Sequence, residues 1–293
     1  MAAGVAASPP TEAMRRGVSR GLFLATVVIV AVIMLGAGVF VGKTLYGGSS
    51  STSSKFLVVG TNIPFPPFED YNYSTGTYFG FDINFSEMIA YQLHRTLVID
   101  NYDDWDALLA DIGKGVVDMG ASAITESGSV GIERNGTMTF SEPYYEANQA
   151  LLVQGSNSMT CPTSTGCTVH NMSSMKIGVQ AGTSSDIWSS EYLVPNETAG
   201  GSVTGFADVP TEITALEHGA LDGVMIDYNI ATAYASNSSG ALRVAGTIYT
   251  HEYYGFAVAH GDPEGIIPSI NFVINQAKQN GTYQKLLNYW GLG

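Results

Sequence analysis

From residue 56 to residue 290, short apolar runs alternate with amphipathic stretches, and this order limits the possible folds more than any other feature of the chain. Brief apolar runs bounded by turn residues read as buried strands, and apolar residues spaced three and four apart read as helices laid against them. The product is an α/β protein. FLVVG (56–60) is a first strand, followed by a helix in GFDINFSEMIAYQLHR (80–95) with Phe81, Phe85, Met88, Ile89 and Leu93 on one side. LVI (97–99) is a strand, WDALLADIGKG (105–115) a helix ended by glycine, and VVDMGAS (116–122) the next strand. A second series repeats the order: KIGVQ (176–180), a helix from about Ser184, VTGF (203–206), the helix PTEITALEHG (210–219) and the strand GVMI (223–226).

The two series share a local figure, a helix, then Gly115-x-x-Asp118 or Gly219-x-x-Asp222, then a strand. The aspartates are expected to cap turns, and the duplication predicts two similar lobes of roughly a hundred residues each. MTFSEPYYEANQALLVQ (138–154) is the expected crossover between them. YYGFAVA (253–259) reads as a last strand, with helices between 263 and 290.

Charge and composition narrow the class. The chain holds 26 Asp and Glu against 12 Lys and Arg. Setting aside Glu12, Arg15, Arg16, Arg20 and Lys43 leaves 25 against 8 from Lys55 onward, a net of −17. A nucleic-acid binder needs a clustered cationic face, so that class is excluded. An aromatic share of 11% and 34 glycines exclude a disordered acidic tail.

GLFLATVVIVAVIMLGAGVFVG (21–42) is a run of 22 residues without a charge, long enough to cross a bilayer core. Arg15, Arg16 and Arg20 precede it and Lys43 follows, which keeps the N-terminal tail, 1–20, in the cytoplasm. An uncleaved anchor is expected, a cleaved signal peptide being the alternative. GGSSSTSS (47–54), within a linker over 43–54, is a flexible spacer. The remainder is then an ectodomain on the extracytoplasmic side of a single-pass membrane segment. Its low charge density suits an acidic exterior. CPTSTGC places Cys161 and Cys167 at the two ends of a loop, and a disulfide is favoured over a metal site because no second ligand pair lies nearby. Sequons begin at Asn72, Asn84, Asn135, Asn171, Asn196, Asn237 and Asn280. The five histidines have no metal-ligand spacing, and neither H-E-x-x-H nor G-x-S-x-G occurs, so no metal and no cofactor is expected.

In open α/β sheets ligands lie beyond the carboxyl ends of strands. After FLVVG come Asn62 and Phe65; after VVDMGA come Ser122, Ala123 and Thr125, then Arg134 in a longer loop. After KIGVQ come Gly182, Thr183 and Ser184 opening a helix, and after GVMI comes Asp227. This inventory suits a small zwitterion: a guanidinium for a carboxylate, a carboxylate for an ammonium, and Phe65 with Trp105 as ring faces for a side chain.

GFDINFSEMIAYQL (80–93), IPFPPFED (63–70), FSEPYY (140–145), KIGVQAGTSS (176–185), ALEHGALDGVMID (215–227) and NGTYQKLLNYWG (280–291) together resemble solute-binding proteins of family 3, the amino-acid-binding subunits of ABC importers. The resemblance departs at Asn84, where the family usually has an acidic residue. It implies a two-lobed, hinged fold of the type II periplasmic-binding-protein kind, with lobe 1 over 55–147 and 248–293 and lobe 2 over 148–247. It also implies that Phe65 is an aromatic platform and Trp105 the opposing wall. Ser122, Ala123 and Thr125 would form a backbone-and-hydroxyl loop, with Gly182, Thr183 and Ser184 the second lobe's contribution. Asp227 would take the ligand's ammonium. Arg134 would take its carboxylate, although an insertion separates it from the threonine that the family's arginine follows. Asn62 stands where binders of cationic side chains often carry aspartate, so the resemblance leaves the ligand open among polar amino acids. The implied partner is a membrane permease, and the implied ectodomain is a monomer without enzymatic activity. A standalone sensor is one alternative. Another is a dehydratase-like enzyme with Asp227 paired to Glu69 or His251.

Overall fold

The computed structural model describes residues 54–293, so the apolar run 21–42 and nearly all of the spacer after it lie outside the described residues. The strands are β1 (Phe56–Thr61), β2 (Asp70–Asn72), β3 (Thr77–Phe79), β4 (Thr96–Asn101), β5 (Met119–Gly120), β6 (Met138–Phe140), β7 (Tyr145–Gln154), β8 (Lys176–Gln180), β9 (Ser202–Phe206), β10 (Gly223–Asp227), β11 (Leu242–Tyr254) and β12 (Ala257–Ala259). Ten of them form two five-stranded sheets, ordered β4-β1-β5-β12-β6 and β11-β7-β10-β8-β9, and β2 pairs with β3 in a hairpin. Among the described residues no helix is long and apolar enough to cross a membrane.

The two sheets repeat one plan. In the first, β4, β1 and β5 run parallel and β12 joins antiparallel between β5 and β6. In the second, β9, β8 and β10 run parallel and β7 joins antiparallel between β10 and β11. The Gly-x-x-Asp figure has the same task in both. Asp118 donates its N–H to the Val58 carbonyl at 2.9 Å, and its carboxylate accepts the Val58 N–H at 2.8 Å. Asp222 makes the same reciprocal pair with Lys176, at 2.8 Å in each direction. The aspartates therefore clip the incoming strand to its parallel neighbour rather than capping a turn.

Apolar faces of the helices close each sheet. Leu108 and Ile112, a turn apart on the helix Trp105–Lys114, pack with Ile124, Met138 and Ala257 in the first core. Leu151, Val153, Ile177, Val179 and Met225 form the second core together with Cys161 and Cys167, which are joined in a disulfide. A Cβ at Gly246 would meet both cysteines, at 2.7 Å from the Cys161 Cβ and 3.1 Å from the Cys167 sulfur, so glycine is required where β11 passes this loop.

Two strands connect the halves. β7 leaves the first half and β11 returns to it, paired from Leu242↔Gln154 to Tyr254↔Tyr145. At the crossing Tyr145 packs on Tyr254 and both meet Phe68, while Tyr144 stacks on Phe256 at 4.3 Å. Sequence reading puts one last strand over 253–259, whereas the structure divides that run between the end of β11, which begins at Leu242, and the separate strand β12. Register shifts between Val244 and Gly246 and between Ile248 and Glu252 break the alternation of faces that would have marked it.

Candidate functional site

The six parallel strands of the two sheets aim their carboxyl ends at one cleft, with about 430 Å³ of space between its walls and part of that open to solvent. Asn62, Phe65, Trp105, Ser122, Ala123, Thr125, Arg134, Thr183, Ser184 and Asp227 all line it. Gly182 stands just behind the lining. Its carbonyl accepts hydrogen bonds from Trp105 Nε1, at 3.0 Å, and from Arg134 Nη2, at 3.4 Å. A side chain at Gly182 would strike the Asp106 carboxylate and the edge of Trp105, and its φ of +73° also favours glycine.

Arg134 ends the helix Gly128–Arg134 instead of lying in a loop. It is 6% exposed, its Nη1 donates to the Thr125 carbonyl at 2.9 Å, and its guanidinium lies 5.4 Å over the Trp105 ring. Burial lowers its pKa to about 10, opposed by the field of Glu252 and Asp227. Among the described residues no carboxylate lies within ion-pair distance of it. Two carbonyls, of Thr125 and Gly182, take a donor each, and its charge has no ion-pair partner among the described residues.

Asp227 closes β10 at the start of the helix Tyr228–Asn237, but its side chain does not cap that helix. It accepts the Tyr254 hydroxyl instead. Burial, then the nearby Glu252, raises its pKa to about 7. Arg134 and Asp227 thus reach the cleft from different sheets, one a cation and the other a carboxylate.

A second layer holds the lining. Ser122 donates to Glu69 at 2.9 Å while its oxygen accepts the Asn62 N–H at 3.0 Å. The Ala123 N–H and the Tyr144 hydroxyl both donate to Asp82, at 2.9 and 2.7 Å. These bonds hold Ala123 at φ +46°, a conformation that turns the loop into the cleft. Burial raises Asp82 to about 7 and Glu69 well above the usual carboxylate range, the latter helped by the neighbouring Asp82. Thr125 donates to Glu252 at 3.0 Å, and Gln149 reaches both Ser184, at 3.2 Å, and Glu252, at 3.4 Å. Asn62 is used at both ends: its amide donates to the Tyr102 carbonyl at 2.7 Å and accepts from Gln180 of the second sheet at 3.1 Å.

Sequence reading missed Gln180, Ser185, Val209, Glu212 and Ile226, which also line the cleft. Val209 and Glu212 could have been found by treating the carboxyl end of VTGF like that of the other strands. The helix Val209–Glu217 succeeds β9 as the helix Trp105–Lys114 succeeds β4, and each begins with an aspartate, Asp208 or Asp104, accepting a backbone N–H at 2.7 Å. His251 is exposed and faces Glu146 at 3.4 Å, outside the cleft. No cluster of His, Cys, Asp and Glu among the described residues is arranged to hold a metal.

Two similar sheets joined by paired strands, with a polar cleft between their carboxyl ends, define a binding-protein architecture of mixed α/β type. The chain belongs to the bacterial extracellular solute-binding proteins, family 3, whose profile matches residues 57–293. It is 28% identical over 239 residues to the "Probable histidine-binding protein" of Neisseria gonorrhoeae, covering 81% of this chain and 83% of that one. Among solved structures, an ancestral arginine-binding protein bound to arginine superposes with a TM-score of 0.70 at 28% identity, covering 81% of this chain and 98% of the other. An ancestral amino-acid-binding protein, a precursor of cyclohexadienyl dehydratase, superposes with a TM-score of 0.67 at 28% identity, over 80% of this chain and 95% of that one. The fold thus matches the type II periplasmic binding proteins.

Proposed function

We propose that this protein captures a polar amino acid between two lobes and delivers it to the permease of an ABC importer. The observation that carries this reading is the pairing of Arg134 and Asp227 across one cleft, each buried and, among the described residues, neither in an ion pair with an opposite side-chain charge. An α-carboxylate and an α-ammonium answer the two together. Relatives named for binding histidine and arginine support it.

In this reading Arg134 takes the carboxylate with the loop Ser122, Ala123 and Thr125, and Asp227 takes the ammonium. Phe65 and Trp105 flank the side chain, and Gly182, Thr183 and Ser184 close from the second lobe, with Asn62 bridging the lobes through Gln180. The lobes divide at β7 and β11, which act as the hinge, and the ligand shifts the population toward the closed form because only that form engages both charges. The protein binds without converting its ligand. It works as a monomer outside the membrane, held by the run 21–42, with sugars placed among the exposed sequons at Asn72, Asn135, Asn196, Asn237 and Asn280.

The test is calorimetry of the purified protein against the twenty amino acids, short peptides and sugars, with product analysis for turnover. At least one polar amino acid binds at about micromolar affinity, about −8 kcal/mol, and is recovered unchanged. Arg134→Ala and Asp227→Asn each weaken it by roughly a hundredfold or more. Wild-type affinity in both variants would remove the proposed charge pairing.

A further inference from the structure

Among the described residues three charged side chains line the cleft: Arg134, Asp227 and Glu212. The carboxylate and ammonium of an amino acid answer the first two and leave Glu212. It is 0% exposed, and neither of its oxygens has a hydrogen-bond partner among the described residues. A charge on the surface of a helix would be solvated, but this one is buried one turn into Val209–Glu217 and faces the cleft. Its surroundings offer no internal match. Burial holds its carboxyl well above the usual range, Asp208 and Asp227 push it further, and no nearby cation lowers it. Tyr234 lies close enough to feel its charge but makes no hydrogen bond with it.

A buried carboxylate without a partner is costly, and a cation placed against it removes that cost. We infer that Glu212 receives a second cation, so that the ligand is an amino acid carrying an ammonium, guanidinium or imidazolium on its side chain. This rests on the amino-acid reading above and extends it from polar to cationic. The charges then close: two carboxylates and one guanidinium on the walls face two cations and one carboxylate on the ligand. Asn62 leaves the first lobe with a neutral amide here, and Glu212 supplies the missing anion from the second. As the cation arrives, the carboxyl proton of Glu212 passes to solvent and the ligand keeps its own charge.

The test compares L-arginine with L-citrulline, which has nearly the same shape and a neutral side chain, on the full-length protein and on Glu212→Gln. Arginine should bind the wild type about a hundredfold more tightly than citrulline. Repeating the calorimetry in buffers of different ionisation enthalpy should show more proton release with arginine than with citrulline near neutral pH, the share from Asp227 being common to both. Glu212→Gln should lose most of the arginine preference while keeping citrulline within about threefold, which also shows that the variant is folded. L-Lysine and L-histidine then identify which cation fits best. Equal wild-type affinity for arginine and citrulline, or unchanged arginine affinity in Glu212→Gln, would overturn the assignment of Glu212 and leave the amino-acid reading standing. If no amino acid, neutral or cationic, binds the wild type, the amino-acid reading itself falls and takes this inference with it.

Discussion

At the scale of single residues the cleft is governed by what holds its charged groups. In the proposed binding mode Asp227 faces a ligand ammonium, and its protonation is set from behind by Tyr254 and Glu252. The Tyr254 hydroxyl favours the carboxylate, whereas burial and Glu252 favour the acid. Removing the hydroxyl in Tyr254→Phe should raise the Asp227 pKa above about 7. A ligand ammonium needs the ionised form, so affinity near neutral pH should fall about tenfold. The midpoint of the pH dependence of binding should also move upward. That second readout separates positioning from packing: a lost contact alone would lower stability without moving the midpoint. Charged end groups of this kind were largely legible in the sequence, because Arg134 and Asp227 come after strands that apolar runs announce. Glu212 was not. Inside PTEITALEHG a glutamate reads as a solvated helix charge, and only the way the helix sits on its sheet turns it inward. The supporting groups were hidden for another reason. Glu69 meets Ser122 across 53 residues of chain and Glu252 meets Thr125 across 127, and no local pattern records such a meeting.

At the scale of elements, duplication is the informative feature. The helix–Gly-x-x-Asp–strand figure could be read from the sequence, and it marks the same junction in both sheets. Its physical role could not, since a strand clip and a turn cap use the same residue at the same spacing. The structure separates them through the reciprocal bonds of Asp118 with Val58 and Asp222 with Lys176. Asp118 is partly buried and Asp222 is exposed, so the two clips should differ in strength. Asp118→Ala should cost about 1–2 kcal/mol, because it strands the Val58 N–H at a sheet interior, and Asp222→Ala about 0.5 kcal/mol, because water replaces the lost acceptor. Asparagine at either position keeps an acceptor oxygen and should recover much of the loss. Chemical denaturation of the four variants measures this, and equal costs at the two sites would show that burial does not set the strength of the clip. Elements without such a figure were the ones read poorly. β11 is long, but its bulges and Gly246 break its alternation, and the short helix that carries Arg134 has no apolar period to announce it.

At the scale of the whole molecule, buried carboxylates couple stability and binding to pH with opposite signs. Asp82 and Asp227 each titrate at about 7 in the folded protein, against 3.8 for an aspartate in water. Between these limits the folded state holds more protons than the unfolded one. The stabilisation is therefore complete below about pH 4 and is lost as pH rises through about 7. Burial also raises Glu69 and Glu212 well above the usual carboxylate range, which adds to the stabilisation in the same direction. A chain with 26 acidic and 12 basic residues also repels itself less as its carboxylates neutralise. The ligand-free protein should accordingly melt at a higher temperature at pH 5 than at pH 7.5. Binding should run the other way. In the proposed mode an ammonium docks on ionised Asp227, so each unit of acidification below about 7 should weaken binding of an amino acid by up to about tenfold, before any proton leaving Glu212 is added. Thermal melts and calorimetry over pH 5–8 on one preparation test both slopes. A melting temperature that rises with pH in the absence of ligand would mean that these carboxylates are ionised in the folded state, and the charge balance of the cleft would then have to be drawn without bound protons.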